Sequence, residues 1–322
     1  MKRFVFFLIA VFIVICSASC GPADYCELTF FSMDTFVTLK ADAGNDELLE
    51  DCRELVLSLE KRFSKTDSGS EIYAVNNRGG GAEVSDYTAE LTEYALEIAD
   101  AVDGRFSPAL GRLTSVWDFK NAKVPDDAVI KDALKNCDYR SVSVDDEMIT
   151  LASGVLLDLG GIAKGYICEA ALEFLRDGGA EYGIINIGGN IGVFGENPSH
   201  DGWTVGIKNP SQPSSLIGAI EVNGGYVSVS GDYERYFEAG GVRYHHIIDP
   251  STGYPGDSGV RSAAVWSDDG ALCDALSTAL FVGGADYMLE LYDSNVFEFE
   301  AVIVTDDGVV MTDGIADRFT LY

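Results

Sequence analysis

The chain has 322 residues, 47% of them apolar and 23% charged, a globular composition long enough to bury a substantial core and too apolar for a disordered one. Its 22 basic residues face 52 acidic ones, a formal charge of −30, which excludes nucleic acid as a partner because a phosphate backbone calls for basic patches. A small anionic ligand would need local help from a metal ion or a helix terminus to approach.

Lys2-Arg3, an apolar run from Phe4 to Cys16 and the small residues Ser17-Ala18-Ser19 read as a secretory signal sequence over residues 1–20, too short for a membrane span. Small residues leading into Cys20 resemble a bacterial lipobox, although Ser17 stands where leucine is usual, so Cys20 is expected to carry a lipid as the new N-terminus. Residues 21–28 then form a tether and residues 29–322 one domain, held by its lipid at the bacterial membrane on the extracytoplasmic side. The remaining cysteines, Cys26, Cys52, Cys137, Cys168 and Cys273, show neither a zinc pattern nor a disulfide framework and read as buried apolar fillers.

Glu27 to Leu39 has strand character interrupted at Met33-Asp34-Thr35. Asp46 to Phe63 places Leu48, Leu49, Cys52, Leu55, Val56 and Leu59 on one helical face, and the polar stretch Ser64 to Ser70 closes it. A second helix starts after Ser85, a candidate N-cap, and stops at Gly104; a third runs from Pro125-Asp126-Asp127 to near Cys137. Ser141–Val144, Met148–Leu151 and Val155–Leu157 read as short strands, and Tyr166–Asp177 as an amphipathic helix carrying Ile167, Ala170, Ala171, Phe174 and Leu175. Beyond it come strands at Gly183–Ile187, Trp203–Ile207 and Ile217–Val222, with Asn223-Gly224-Gly225 turning a hairpin into Tyr226–Ser230. A second hairpin joins Tyr233–Glu238 to Val242–Ile248 across Ala239-Gly240-Gly241. Helices at Gly270–Phe281 and Ala285–Leu291 and a last hairpin, Ala301–Thr305 with Val309–Thr312, complete an α+β fold of mixed, largely antiparallel sheets with packed helices.

Four stretches can carry chemistry. Asp158-Leu-Gly-Gly-Ile-Ala-Lys-Gly165 joins an apolar run to a helix, and glycines before a helix N-terminus let an anion approach the backbone; the spacing is not that of a Walker loop, and a plain tight turn would look similar. Asp274 and Thr278, four apart on a helix, present two hard oxygens on one face, suited to Mg²⁺ or merely to solvent. His245-His246 stand at a strand end, where one imidazole can face a cleft as a general base while the other packs. Val229-Ser230-Gly231-Asp232-Tyr233 is a Ser-Gly corner that could hold a flat ligand or could simply turn.

In order and spacing, Met33-Asp-Thr35, Asp158 to Gly165, Asn186-Ile-Gly-Gly-Asn190, Ser230-Gly-Asp-Tyr233, His246-Ile-Ile-Asp-Pro250 and Asp274-Ala-Leu-Ser-Thr278 resemble the ApbE family of FAD:protein FMN transferases, from about residue 28 to the C-terminus. The resemblance implies a T-fold-like single catalytic domain. It also implies Mg²⁺ held by Asp274, Thr278 and the main-chain oxygen of Gly161, and contacts to FAD, the substrate, from Met33, Arg105, Phe106, Ser107, Asp158, Lys164 and Ile248. Thr66 departs from the family, which often has an aromatic there. Catalysis then rests on Asp274 and on His246, which, or else a carboxylate nearby, takes the proton of a Ser or Thr hydroxyl of an acceptor flavoprotein, an extracytoplasmic redox subunit, with AMP leaving. The alternatives are an FAD pyrophosphatase giving FMN and AMP and a non-catalytic FAD-binding lipoprotein. Asp249-Pro-Ser-Thr252-Gly253 begins like an acceptor motif but departs at Tyr254, so self-modification is rejected.

Overall fold

The structure is a computed structural model in which residues 25–322 are described, so the expected leader and Cys20 lie outside the described residues. Strand β1 (Tyr25–Ser32) pairs antiparallel with β2 (Thr35–Asp42), which puts the start of the fold inside the stretch read as a tether. Helix α1 (Asp46–Phe63) spans the predicted residues and buries Leu49, Cys52, Val56 and Leu59. A helix not legible in the sequence follows, α2 (Glu71–Asn77), capped by Ser70, which accepts the Tyr73 N–H at 2.9 Å. After β3 (Gly81–Glu83) comes α3 (Asp86–Ala101). Ser85 stands at its N-cap position but turns its hydroxyl to Glu71 at 2.8 Å rather than capping the helix.

Short helices α4 (Gly111–Thr114) and α5 (Asp127–Leu134) lead to the hairpin of β4 (Val142–Asp145) and β5 (Met148–Leu151). The strand expected at Val155–Leu157 does not form. Its extended backbone is satisfied by a side chain and a loop instead of a neighbouring strand: Asn76 bonds the Leu157 N–H at 2.7 Å and its carbonyl at 2.9 Å, and the Gly111 N–H donates to the Leu156 carbonyl at 2.9 Å. Helix α6 (Ala163–Asp177) begins three residues earlier than predicted, so Lys164 and Gly165 occupy its first turn.

The second half supplies β6 (Gly183–Ile187), β7 (Asn190–Phe194), β8 (Trp203–Asn209), β9 (Gln212–Val222), β10 (Gly225–Gly231), β11 (Tyr236–Ala239), β12 (Val242–His245) and β13 (Val260–Ser267). Helices α7 (Gly270–Gly283) and α8 (Ala285–Ser294) and strands β14 (Glu300–Thr305), β15 (Gly308–Met311) and β16 (Phe319–Leu321) close the chain. The main sheet has eight strands in the order β1-β2-β6-β7-β10-β13-β14-β15, every neighbour antiparallel. The hairpin expected at Asn223-Gly224-Gly225 is absent: β9 lies in a separate sheet, β16-β9-β8, while β10 sits between β7 and β13. Gly225, at φ +88°, takes the chain from one sheet to the other. The β11–β12 hairpin does form, with Gly240 and Gly241 both left-handed in its turn.

Three layers result. Helices α1, α6 and α7 cover one face of the main sheet, where Ile167, Leu172 and Leu276 meet Ala263 and Val265. On the other face Val227, Ala264 and Val302 meet Trp203, Val205 and Ile220 of the three-stranded sheet. A satellite core of Leu113, Trp117, Ile130, Phe237 and Ile248 supports the β11–β12 ribbon.

The N-terminus of α7 is closed by two carboxylates, and this has a pH consequence. Asp269 accepts the Leu272 N–H at 2.7 Å and Glu169 the Gly270 N–H at 2.8 Å. Burial, then the neighbouring charge of Asp269, pushes the Glu169 carboxyl up to about 7. The folded protein therefore holds a proton that the unfolded chain releases near pH 4.5, so this group's stabilising share is full below that pH and is lost as pH rises through about 7. Melting curves of Glu169→Gln are expected to show a gain over the parent that grows between those values; a pH-independent difference would contradict it.

Candidate active site

Helix α7 is apolar around its whole circumference and buried, which makes Asp274, 4% exposed, a costly residue there unless it is paired. The first turn of α6 pairs it: the Gly165 N–H donates to Oδ2 at 3.0 Å and the Lys164 ammonium lies 3.2 Å from Oδ1. This approach needs glycine at 165, where a Cβ would stand 2.1 Å from the Gly270 carbonyl oxygen and 2.7 Å from the Asp274 Cβ.

One turn along α7, Thr278 Oγ1 lies 3.5 Å from Ser230 Oγ, which in turn meets Ser277 Oγ at 2.9 Å. A Cβ on Gly161 would fall 3.8 Å from Thr278 Oγ1 and 3.2 Å from the Phe106 ring, so Gly161, Thr278 and Phe106 converge. Among the described residues no cluster of three or more His, Cys, Asp or Glu is arranged to hold a metal. The donors available here, the Asp274 carboxylate and the Thr278 hydroxyl near Gly161, are hard oxygens with a single carboxylate, a chemistry that fits a hard cation whose shell is completed by water and phosphate.

Asp158 opens the junction in a tight polar cluster. Its Oδ2 accepts from the Lys65 ammonium at 2.5 Å and from Thr114 Oγ1 at 2.7 Å, its Oδ1 accepts the Gly160 N–H at 3.0 Å, and Lys65 also donates to Thr114 at 2.6 Å. Burial alone would raise the carboxyl; Lys65, Thr114 and the Gly160 amide outweigh it and hold the pKa below the usual range, so Asp158 is ionised.

The β1–β2 turn forms another wall. Met33 and Asp34 both sit at φ above +50°, a conformation that favours glycine or asparagine, and the turn is held by its neighbours. Glu60 accepts the Met33 N–H at 2.6 Å, while Arg235 donates to the carbonyls of Met33 and Asp34, each at 3.4 Å. The Arg235 carbonyl accepts the His246 N–H at 3.0 Å, which ties this turn to the histidine pair.

The two imidazoles differ in surroundings, His245 closing β12 and His246 lying in the bend just past it. His245 is buried edge-to-face on Phe281 and bonded to the Gly256 carbonyl at 3.0 Å. His246 is half-buried, with Nδ1 unpartnered among the described residues. Its pKa is lowered to about 3, first by burial and then by the charges of Lys164 and Arg235, so the ring is neutral. Arg105 lies with its guanidinium 3.9 Å from the Tyr287 ring centroid, 3.7 Å from an Asp103 carboxylate oxygen and 3.4 Å from the Val102 carbonyl. Ser107 accepts the Ala109 N–H at 3.2 Å next to Pro108, whose carbonyl accepts the Asp158 N–H at 2.8 Å. Ile248 is 4% exposed in the satellite core, so what it can offer a ligand is its main chain.

The site thus gathers Met33, Phe106, Asp158, Gly161, Lys164, His246, Asp274 and Thr278 around the start of α6. Lys65, Thr114, Glu60 and Arg235 escaped the sequence: Lys65 lies in a polar stretch with its partner 93 residues away, and no local pattern marks such a pair.

Residues 33–303 match the ApbE family. The FAD:protein FMN transferase of Treponema pallidum is 34% identical, over 84% of this chain and 80% of that protein, and the enzyme of the same name from Klebsiella pneumoniae is 34% identical over 79% and 81%. The crystal structure of the ApbE protein of Thermotoga maritima superposes with a TM-score of 0.84 at 34% identity, covering 91% of this chain and 99% of that one. With fold, motif order and sequence in agreement, the chain belongs to the ApbE family.

Proposed function

We infer that this chain is a flavin transferase that moves the FMN half of FAD onto an acceptor protein, the activity named in its relatives. The observation that carries this is the convergence of Asp274, Thr278 and Gly161 with Lys164 at the start of α6, beside a neutral histidine.

Asp274, Thr278 and the Gly161 carbonyl would hold Mg²⁺. When bound it supplies positive charge against the FAD pyrophosphate. The Lys164 ammonium already fills an equivalent electrostatic role beside Asp274, which supports a cation at this place. Lys164, in the first turn of α6, binds phosphate oxygens and stabilises charge developing on them. The neutral His246 takes the proton of an acceptor Ser or Thr hydroxyl; its oxygen bonds to the phosphorus on the FMN side, and the bond to AMP breaks. Phosphate beside Lys164 and Arg235 offsets the charges that depress the imidazole, so its basicity rises once FAD is in place.

His246→Ala is expected to slow transfer by about 10²-fold or more with little change in FAD affinity. Equal losses in rate and binding would make His246 a ligand contact instead. The activity itself is tested by incubating the domain with FAD, Mg²⁺ and a protein bearing an acceptor Ser or Thr, then weighing the acceptor. A gain of one FMN that needs both the metal and the hydroxyl supports transfer; free FMN and AMP beside an unchanged acceptor would mean hydrolysis, and unchanged FAD a binding protein.

The chain is further proposed to work outside the cytoplasmic membrane, held by lipid on Cys20, since its leader combines basic, apolar and small residues in that order. Among the described residues no helix is long and apolar enough to cross a membrane. Labelling with a radioactive fatty acid that survives in Cys20→Ser would refute the anchor.

A further inference from the structure

Counting hydrogen-bond valences around Asp158 leaves two places open. Oδ2 is saturated by Lys65 and Thr114, whereas Oδ1 accepts only the Gly160 N–H and keeps one lone pair. Lys65 spends two of its three ammonium donors, on Asp158 and Thr114, and among the described residues the third has no partner. Both side chains reach solvent only in part, 28% for Lys65 and 17% for Asp158. Gly160 guards the open lone pair: a Cβ there would stand 3.0 Å from Oδ1. The cluster thus presents a fixed acceptor beside a fixed donor, both charged, a few residues from the phosphate-binding start of α6.

We propose that Lys65 and Asp158 together form a recognition pair for one ring edge of FAD, Asp158 accepting from a ring N–H and Lys65 donating to the ring acceptor beside it. This deepens the reading above and rests on the chain being an FAD-using transferase. Two edges of FAD offer adjacent donor and acceptor: the imide edge of the isoalloxazine, an N–H between two carbonyls, and the amino edge of adenine, an N–H₂ beside a ring nitrogen. Lys65 is the part that nothing in the motifs assigns. It stands one residue before Thr66, where the family's aromatic is missing. An ammonium bonded to a ring carbonyl or nitrogen replaces a contact through the ring face with one through the ring edge.

The test measures dissociation constants of FAD, riboflavin and ADP for the parent domain, Lys65→Met, Lys65→Arg and Gly160→Ala. A charge-assisted hydrogen bond predicts FAD weakened by tenfold or more in Lys65→Met, with Lys65→Arg recovering most of it, and weakened also in Gly160→Ala, where the lysine is intact. The same loss for riboflavin assigns the pair to the flavin edge, and for ADP to the adenine edge; a loss for FAD reproduced by neither fragment overturns it. FAD affinity unchanged in Lys65→Met overturns it too, as does equal weakening in Met and Arg variants that melt like the parent. A parent domain that binds no FAD would instead refute the transferase reading.

Discussion

Asp274→Asn is expected to abolish transfer while the domain stays folded. The asparagine amide keeps an acceptor for the Gly165 N–H, so the crossing of α6 and α7 survives, but the negative charge that pairs with Lys164 and would hold the metal is gone. A metal that contributes several kcal/mol to the transition state makes the loss at least about 10³-fold. Asp274→Ala should lose activity equally and also melt lower, because the Gly165 N–H and Lys164 are left without their buried acceptor, at about 1–3 kcal/mol. Acceptor mass across a Mg²⁺ titration, with melting curves of both variants, separates these effects. Transfer within tenfold of the parent at low Mg²⁺ in Asp274→Asn would sink the ligand assignment.

Gly165→Ala should lower stability and transfer together. Its Cβ would collide with the backbone of Gly270, which cannot swing aside as a side-chain tip would, so α6 and α7 must separate. Overpacking of this kind costs about 1–3 kcal/mol and more against backbone. The separation also withdraws the amide and the ammonium that position Asp274, so transfer falls with stability. An alanine variant with the parent's melting temperature and rate would show that the two helices are not in contact in solution.

What the sequence disclosed follows physical lines. Helix α1 was legible because one face is buried and the other wet, which stamps a helical period on Leu49, Cys52, Val56 and Leu59. Strand β13 was not, because it is buried on both faces: Ala263 and Val265 face the helices while Ala264 faces the small sheet, and no alternation remains to be read. The glycine pair after Asn223 signalled a turn correctly but not its destination, since a local turn does not say which sheet receives the next strand. The strand alternation expected for the histidine pair does not apply, because β12 ends at His245, which packs on Phe281, and His246 lies in the bend beyond it. The Lys65 and Asp158 pair stayed hidden, because its two halves meet only through tertiary packing.

The cysteines reach beyond their role as fillers. All five among the described residues are free and buried, and burial raises every one of their thiols above the ordinary range. The thiolate is the nucleophile that attacks peroxide and disulfides, and here it is both scarce and out of reach. With no disulfide among the described residues, reductants should leave the melting temperature of the folded domain unchanged. Oxidative damage would instead strike during folding, in the interval before Cys168 and Cys273 are covered by the joining of α6 and α7 to the sheet.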